Sequence, residues 1–345
     1  MAVSVRDVAE AAGVSVGTVS NVLNHPEKVS PETVDRVRAT ITELGFVRND
    51  AARQLRAGRS RTIGLVVLDL RNPFFTEVAR GAEQRAAERG LSVLVANSDD
   101  DTAREGTHLD LFEQQRAFGV LITPVGEGLG RLTGLRDRGI QSVLVDRESP
   151  DGDIASVAVD DVEGGRLAAA HLLEIGRRRL AFVSGPHAIR QVADRLEGAR
   201  AAVAAVPDAT LEVIEQPTLT VLDGRAAGET ILARVPAERP DAVFAANDLL
   251  AVGLLQAFAI MGGARVPDDI ALIGYDDIDF AAATVVPLSS IRQPARLIGA
   301  TAVDLLLEEV DASQGGRVVR FQPELVVRES TAGAMDAAAR TAAGD

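Results

Sequence analysis

The chain of 345 residues contains no cysteine. That excludes a disulfide framework, a zinc–thiolate centre and a cysteine nucleophile. Tryptophan is absent, tyrosine occurs once and phenylalanine ten times, so any ligand meets few aromatic stacking surfaces. The only lysine, Lys28, lies outside any glycine loop, which leaves no phosphate-binding loop of the Gly-Lys-Ser or Gly-Lys-Thr type. Gly126, Gly128 and Gly130 do not form a dinucleotide fingerprint. The four histidines, His25, His108, His171 and His187, lack metal-ligand spacing, so neither a metal nor a cofactor is expected. No uninterrupted apolar stretch reaches the ~20 residues of a membrane helix. Arg6, Asp7 and Glu10 break the N-terminal segment where a secretory leader would be apolar. The expectation is a cytoplasmic protein without a membrane partner. Nothing places a nucleophile beside a base, so an enzyme is not expected.

What is present is charge of uneven sign. The net charge is −14, which argues against nucleic acid until its distribution is considered. Residues 1–61 carry nine Lys/Arg against seven Asp/Glu, whereas the remainder carries 27 against 43. Within 47–61, Arg48, Arg53, Arg56, Arg59 and Arg61 face only Asp50. A basic head of this kind can meet phosphates while an acidic body stays soluble and is repelled by DNA. The chain length predicts two or three folding units at roughly 100–200 residues each.

Residues 4–46 read as three short helices. Ser4 and Asp7 have capping-box spacing, Val5, Val8, Ala9 and Ala12 share a face, and Gly13 ends the helix. Ser15 caps a second helix to about Leu23, with Val16, Val19, Val22 and Leu23 available for packing. Ser30-Pro31 starts a third, whose apolar face is Val34, Val37, Ile41 and Leu44 and which closes at Gly45. Between Asn49 and Gly58 lies a segment that forms a helix only with outside support, since so short a helix is marginal in water.

From Thr62 the pattern becomes strand and helix in alternation. Strand-like runs are 63–68, 91–96, 120–122, 143–145, 157–159, 180–183, 211–214, 242–245 and 270–273, with a last strand over 321–327. Helical segments fall at about 74–89, 104–117, 129–138, 161–175, 194–205, 223–234, 247–261 and 295–310. Such alternation predicts parallel sheets covered on both faces, and this many strands predicts two lobes. The expected organisation is 1–48 as an all-α DNA-binding domain, 49–61 as hinge helix and linker, 62–330 as a two-lobed α/β domain for ligand binding and dimerisation, and 331–345 as a frayed tail.

The stretch Val5–Asn24, VRDVAEAAGVSVGTVSNVLN, has helix-turn-helix spacing and closely resembles the opening of the lactose-repressor family. The likeness continues through RTIGLVVLDLRNPFF at 61–75, FAANDLLAVG at 244–253, VPDDIALIGYDD at 266–277, PLSSIRQP at 287–294 and ELVVRES at 324–330. The resemblance implies a helix-turn-helix domain and hinge helix followed by a periplasmic-binding-protein-like body of two α/β lobes with parallel sheets. It implies a homodimeric transcriptional regulator, a repressor, bound to a pseudo-palindromic operator and controlled by a small effector, a sugar. It places Val16, Gly17 and Asn21 at base-choosing positions, Val16 suited to a thymine methyl and Asn21 to adenine. Ser15, Thr18 and Ser20 suit phosphate contacts. In the hinge, Leu55 matches a leucine that wedges into the minor groove, flanked by Arg53 and Arg56; the alternative is that Leu55 packs on the next domain. Arg48 stands where relatives often have proline.

Ligands of open α/β sheets bind beyond the carboxyl ends of the strands. There the sequence places Asp69, Asn72 and Phe74, then Asp146, Asp160, Asn247 and Asp276, with Arg195 at the start of a helix after the strand ending at Val183. The resemblance assigns Asp146, Arg195, Asn247 and Asp276 to the effector, and Leu219 falls where relatives often carry a stacking aromatic. Forked Arg, planar Asn and acceptor-only Asp together suit hydroxyls that donate and accept. For Asp160 and Asn247 the competing role is a helix cap, and Asp248 fits a cap better than a ligand contact. A solute-binding protein or a sugar-processing enzyme with the same body are the alternative functions. The tail has no leucine heptad for a tetramer.

Overall fold

The computed structural model describes residues 3–46, 60–126, 128–312 and 316–332. The chain divides into two compact units, Met1–Ser60 and Arg61–Asp345. The hinge positions Arg48, Asn49, Arg53, Leu55, Arg56 and Gly58, and the tail beyond Ala332, lie outside the described residues.

In the first unit, helices α1 (Val5–Ala11), α2 (Val16–Asn24) and α3 (Pro31–Leu44) follow their predicted signals. The capping box forms, with the Ser4 amide donating to Asp7 Oδ2 at 2.7 Å. Gly13 (φ 63°) makes the turn, and the Thr18 amide donates to Ser15 Oγ at 3.0 Å to cap α2. Gly45 (φ 61°) ends α3. Ser30 differs from expectation: its hydroxyl donates to Thr33 Oγ1 at 2.9 Å and caps no backbone amide. Val8, Ala9, Ala12, Val19, Val22, Val34 and Val37 are buried together. This small core sets the angle between α1 and α2.

The second unit holds two six-stranded sheets. In the first lobe, β1 (Thr62–Val67), β2 (Ser92–Asn97), β3 (Gly119–Ile122), β4 (Gln141–Val145), β5 (Ala155–Val159) and β11 (Val318–Phe321) lie in the order β2-β1-β3-β4-β5-β11, all parallel. Their helices are α4 (Pro73–Glu88), α5 (Thr102–Gln114), α6 (Gly130–Asp137) and α11 (Ala295–Ala312). The second lobe repeats the order as β7-β6-β8-β9-β10-β12, with β6 (Arg179–Ser184), β7 (Thr210–Glu215), β8 (Ala242–Ala245), β9 (Ala271–Asp276), β10 (Ser289–Arg292) and β12 (Glu324–Val326). Only β12 runs antiparallel, against β10. Helices α7 (Asp161–Glu174), α8 (Arg190–Ala204), α9 (Val221–Leu232) and α10 (Asp248–Met261) cover it. Apolar cores fill both faces of each sheet, as parallel sheets require.

Three corrections follow. The single strand expected over 321–327 is two, split at Gln322-Pro323, and its halves belong to different lobes. Proline lacks the amide that would continue a ladder and keeps its predecessor extended, so the chain leaves one sheet there and joins the other. Strand β10 was not expected, because Ser289-Ser290 hides it; both serines are fully buried. Helix α8 begins at Arg190, not 194, which puts Arg195 in its second turn. Thr331 is buried, its Oγ1 2.8 Å from His171 Nε2 and 2.7 Å from Ser289 Oγ, so 331–332 belong to the packed body.

The chain crosses between lobes after β5, after β10 and after β11. Paired helices pack closely through glycine. On α4 and α11, a β-carbon at Gly81 would overlap the carbonyl oxygen of Arg296, and one at Gly299 that of Val78. The pairs α7–α8 and α9–α10 use Gly198 and Gly253 the same way.

Gly81→Ala should therefore destabilise the body by about 1–3 kcal/mol despite the better helix former, because the pair must separate. Gly106→Ala, where α5 has open space, should instead stabilise by up to ~1 kcal/mol. Urea unfolding of the two variants checks this; equal effects would refute the close-approach account.

Candidate functional site

Two surfaces gather the predicted site residues. On α2, burial of Val19 and Val22 turns Val16, Gly17 and Asn21 outward, and Asn24 follows on the same exposed face. Val16, expected to pack, instead stands outside the buried cluster and is 43% exposed. Thr18 and Ser20 are half-buried. The hydroxyls of Ser15 and Thr18 lie 2.9 Å apart and are engaged with each other and with the cap. Asn24, which the sequence reading passed over, donates from Nδ2 to the Ser20 carbonyl at 2.8 Å and to Ser20 Oγ at 3.3 Å. The helix VGTVSNVLN has no charged side chain, so its outward face offers small, apolar and amide groups to a partner.

The second surface is the cleft between the lobes, lined by the carboxyl ends of β1, β4, β6, β8 and β9 and the loops that follow them. Asn72, Phe74, Asp146, Arg195, Leu219, Asn247 and Asp276 all border one cavity of about 40 Å³. Asp160 does not; it caps α7, accepting from the Glu163 amide at 3.0 Å, and borders a neighbouring hollow of about 300 Å³ with Arg320. A third hollow, about 620 Å³, adjoins the cavity at Phe74 and Asp276. The small cavity nonetheless has the convergent buried polar groups that mark a binding site. At about 40 Å³ it has room for water only, against roughly 300–1,000 Å³ for typical ligand pockets, so this is a closed cleft.

Two side-chain amides close it. Asn72 Nδ2, from the first lobe, donates to Asp276 Oδ2 in the second at 2.8 Å. Gln191 Nε2, from α8 in the second lobe, donates to the carbonyl and to Oδ2 of Asp146 in the first at 2.7 and 2.9 Å. Gln293, on the crossover after β10, donates to Asp276 Oδ1 at 2.8 Å. Arg195 sits beneath them. Its Nε donates to Asp161 Oδ1 at 2.7 Å and Nη1 to the Ala246 carbonyl at 2.7 Å, Nη2 lies 3.9 Å from Asp276 Oδ1, and its guanidinium carbon lies 3.6 Å from the Tyr275 ring centroid. Asn72 and Asn247 cap α4 and α10 as well as bordering the cavity, so cap and cleft roles coexist. Asp248 is no cap: it is buried, accepting from Ser290 Oγ at 2.7 Å and the Ile278 amide at 2.9 Å.

Sequence reasoning missed Gln191, Gln293 and Asp161. Glutamine carries no signal at a βα turn, and Asp161 follows Asp160 in the first turn of a helix, where an acidic residue is common. Asp146 and Asp276 have φ of 58° and 103°, conformations that L side chains rarely adopt. Such strain, of order 1–3 kcal/mol each, concentrates at functional sites.

Burial pushes both cleft carboxyls above the usual carboxylate range. For Asp146 the neighbouring Asp161 adds to this, and Arg195 opposes it. For Asp276, Arg195, Asn72 and Gln293 hold the rise back. Arg195 keeps its charge: burial works against it, and Asp161, Asp276 and Asp146 outweigh burial.

Residues 4–49 match the model of bacterial regulatory proteins of the lacI family, and 169–331 match the periplasmic binding protein-like domain. The chain is 33% identical over 333 residues to the HTH-type transcriptional repressor PurR of Aliivibrio fischeri (strain MJ11), covering 95% of this chain and 98% of the relative. It is 35% identical over 304 residues to the ribose operon repressor of Bacillus subtilis (strain 168), covering 88% and 90%. Among solved structures, the lac repressor dimer bound to operator and the anti-inducer ONPF superposes with a TM-score of 0.81 at 28% identity, covering 96% of this chain and 99% of that one.

A carboxyl whose folded pKa exceeds its unfolded value holds its proton longer in the folded state. Its contribution is therefore complete below about pH 4 and is lost as pH rises through the raised value. Asp146→Asn should flatten this decline, so that its melting temperature falls less than the wild type's as pH rises above the ordinary carboxylate value of about 4. Identical pH profiles would show that Asp146 ionises as an ordinary surface carboxylate.

Proposed function

The chain belongs to the lacI family of bacterial regulatory proteins, and from that premise we infer that it is a homodimeric repressor whose operator binding is set by a small polyhydroxyl effector held between the lobes. It is a DNA-binding transcriptional regulator and not an enzyme, as its relatives are. Each α2 of the dimer enters a major groove of a pseudo-palindromic operator, with Val16, Gly17 and Asn21 at base edges and Ser15, Thr18 and Ser20 toward phosphates. The 49–61 segment is the hinge, where a marginal helix forms on DNA and Leu55, flanked by Arg53 and Arg56, wedges into the minor groove. The effector changes the angle between the lobes, and so the spacing at which the dimer holds its two hinges. A coupling of about 1–3 kcal/mol would shift operator affinity about 5–150-fold.

The observation that carries the effector reading is the convergence of Asp146 from one lobe with Arg195, Asn247 and Asp276 from the other on one buried cavity. A bare solute-binding protein or a sugar-processing enzyme would leave the first unit without a role. The likeness to a ribose operon repressor favours a sugar, and Leu219 leaves no aromatic platform at that position.

Asn21→Ala should weaken operator binding by about 1–3 kcal/mol without altering the melting of the body, and Leu55→Ala should weaken it strongly while sugar binding persists. Asp276→Asn should abolish the effector response and keep ligand-free operator affinity. Mobility-shift titrations decide each case: unchanged affinity in the first two variants, or a normal response in the third, contradicts the assignment.

A further inference from the structure

The polar groups of the cleft are unequally supplied. Most side-chain donors around the cavity are already committed: Asn72 to Asp276, Gln191 to Asp146, Asn247 to the Leu219 carbonyl at 3.2 Å, and Arg195 Nε and Nη1 to Asp161 and Ala246, with Gln293 donating to Asp276 from outside the lining; Arg195 Nη2 lies 3.9 Å from Asp276 Oδ1, beyond hydrogen-bond reach. Among the described residues, the buried side-chain atoms around the cleft without a hydrogen-bond partner are two acceptors, Asp146 Oδ1 and Gln293 Oε1, on residues only 3% and 4% exposed, and the Tyr275 hydroxyl, whose ring packs against Arg195 and does not line the cavity. Charge is unequal in the same direction. Asp146, Asp161 and Asp276 surround the single guanidinium of Arg195, and Asp69 and Asp100 border the same cavity.

From this imbalance we propose that the effector carries hydrogen-bond donors and no negative charge: an unphosphorylated polyol, with sugar phosphates, sugar acids and nucleotides shut out. The proposal rests on the reading of the cleft as the effector site and narrows it. A hydroxyl inserted into the Asn72–Asp276 bond donates to the carboxylate and accepts from the amide, so both partners stay satisfied as the lobes part. The same holds for a hydroxyl between Gln191 and Asp146. A further hydroxyl supplies the donor that Asp146 Oδ1 lacks. A phosphate or carboxylate does the reverse. Its oxygens only accept, the cleft aspartates lose their amide partners without replacement, and a further negative charge joins three carboxylates in a site where screening is weak. Arg195 offers little remedy: leaving Asp161 would strand that buried carboxylate, and Nη2, the nitrogen still open, already lies 3.9 Å from Asp276 Oδ1, so an anion taking it would crowd that carboxyl group.

The test is calorimetric titration of the full-length protein with D-ribose, D-xylose, D-glucose and D-galactose, each beside its phosphate ester, on wild type, Asp146→Asn and Asp276→Asn. Melting curves confirm that each variant is folded. At least one free sugar should bind, with its phosphate ester about 100-fold weaker or undetectable. Both variants should weaken that sugar about tenfold or more, as expected for loss of a charged acceptor. A phosphate ester that binds as tightly as its free sugar, and whose affinity changes in the variants, would overturn the proposal and leave the cleft as the site. A free sugar whose affinity is untouched by both substitutions would instead overturn the cleft reading beneath it. Failure of all four free sugars at millimolar concentration would also count against the proposal.

Discussion

The site depends on one buried guanidinium. Arg195 bonds the aspartate at the first crossover, the carbonyl that ends β8, and the face of Tyr275, and lies near the carboxylate that ends β9. Without that charge, Asp146, Asp161 and Asp276 would be uncompensated carboxylates in a dry cleft, an arrangement that costs several kcal/mol per ion. With it they remain, strained and crowded, on opposite sides of a gap that two amides bridge. The cleft is thus closed by groups a ligand can replace, which is what a switchable interface between rigid bodies needs.

The rest of the body makes those bodies rigid. Each lobe buries a parallel sheet on both faces, and helix pairs approach through glycine, so neither lobe can deform gradually. Three crossover strands join them, two carrying Gln-Pro, at Gln293-Pro294 and Gln322-Pro323, where proline keeps the chain extended. Motion is therefore confined to the angle between lobes, and Gln293 ties one crossover directly to Asp276.

Much of this was legible in the sequence, and the exceptions have physical causes. Caps and turns spoke clearly in the first unit, because Ser4, Asp7, Gly13, Ser15 and Gly45 each supply something the backbone requires there. In the body, apolar runs bounded by polar turns marked the buried strands and, through the carboxyl-end rule, the places where Asp146, Asn247 and Asp276 emerge. What stayed hidden was made by distant partners. Ser289 and Ser290 look like loop residues until Asp248, Arg328 and Thr331 fold over them. Gln191 and Gln293 look like surface amides until a carboxylate from another element arrives. For Asp160 a cap and a ligand contact share the same residue type and the same turn, so the sequence alone could not tell the two roles apart; the structure shows the cap, beside a neighbouring hollow.

The central claim is that the angle between the lobes is the quantity the effector sets and the operator reads. Because the chain has no cysteine, Thr107→Cys on α5 and Thr230→Cys on α9 allow one spin label on each lobe at an exposed helical position. The distance between labels, measured by dipolar spectroscopy while a stabilising free sugar is titrated, can be followed beside operator affinity in the same samples. The account predicts that distance and affinity change together, with one midpoint. Operator affinity that changes while the distance stays constant would contradict it.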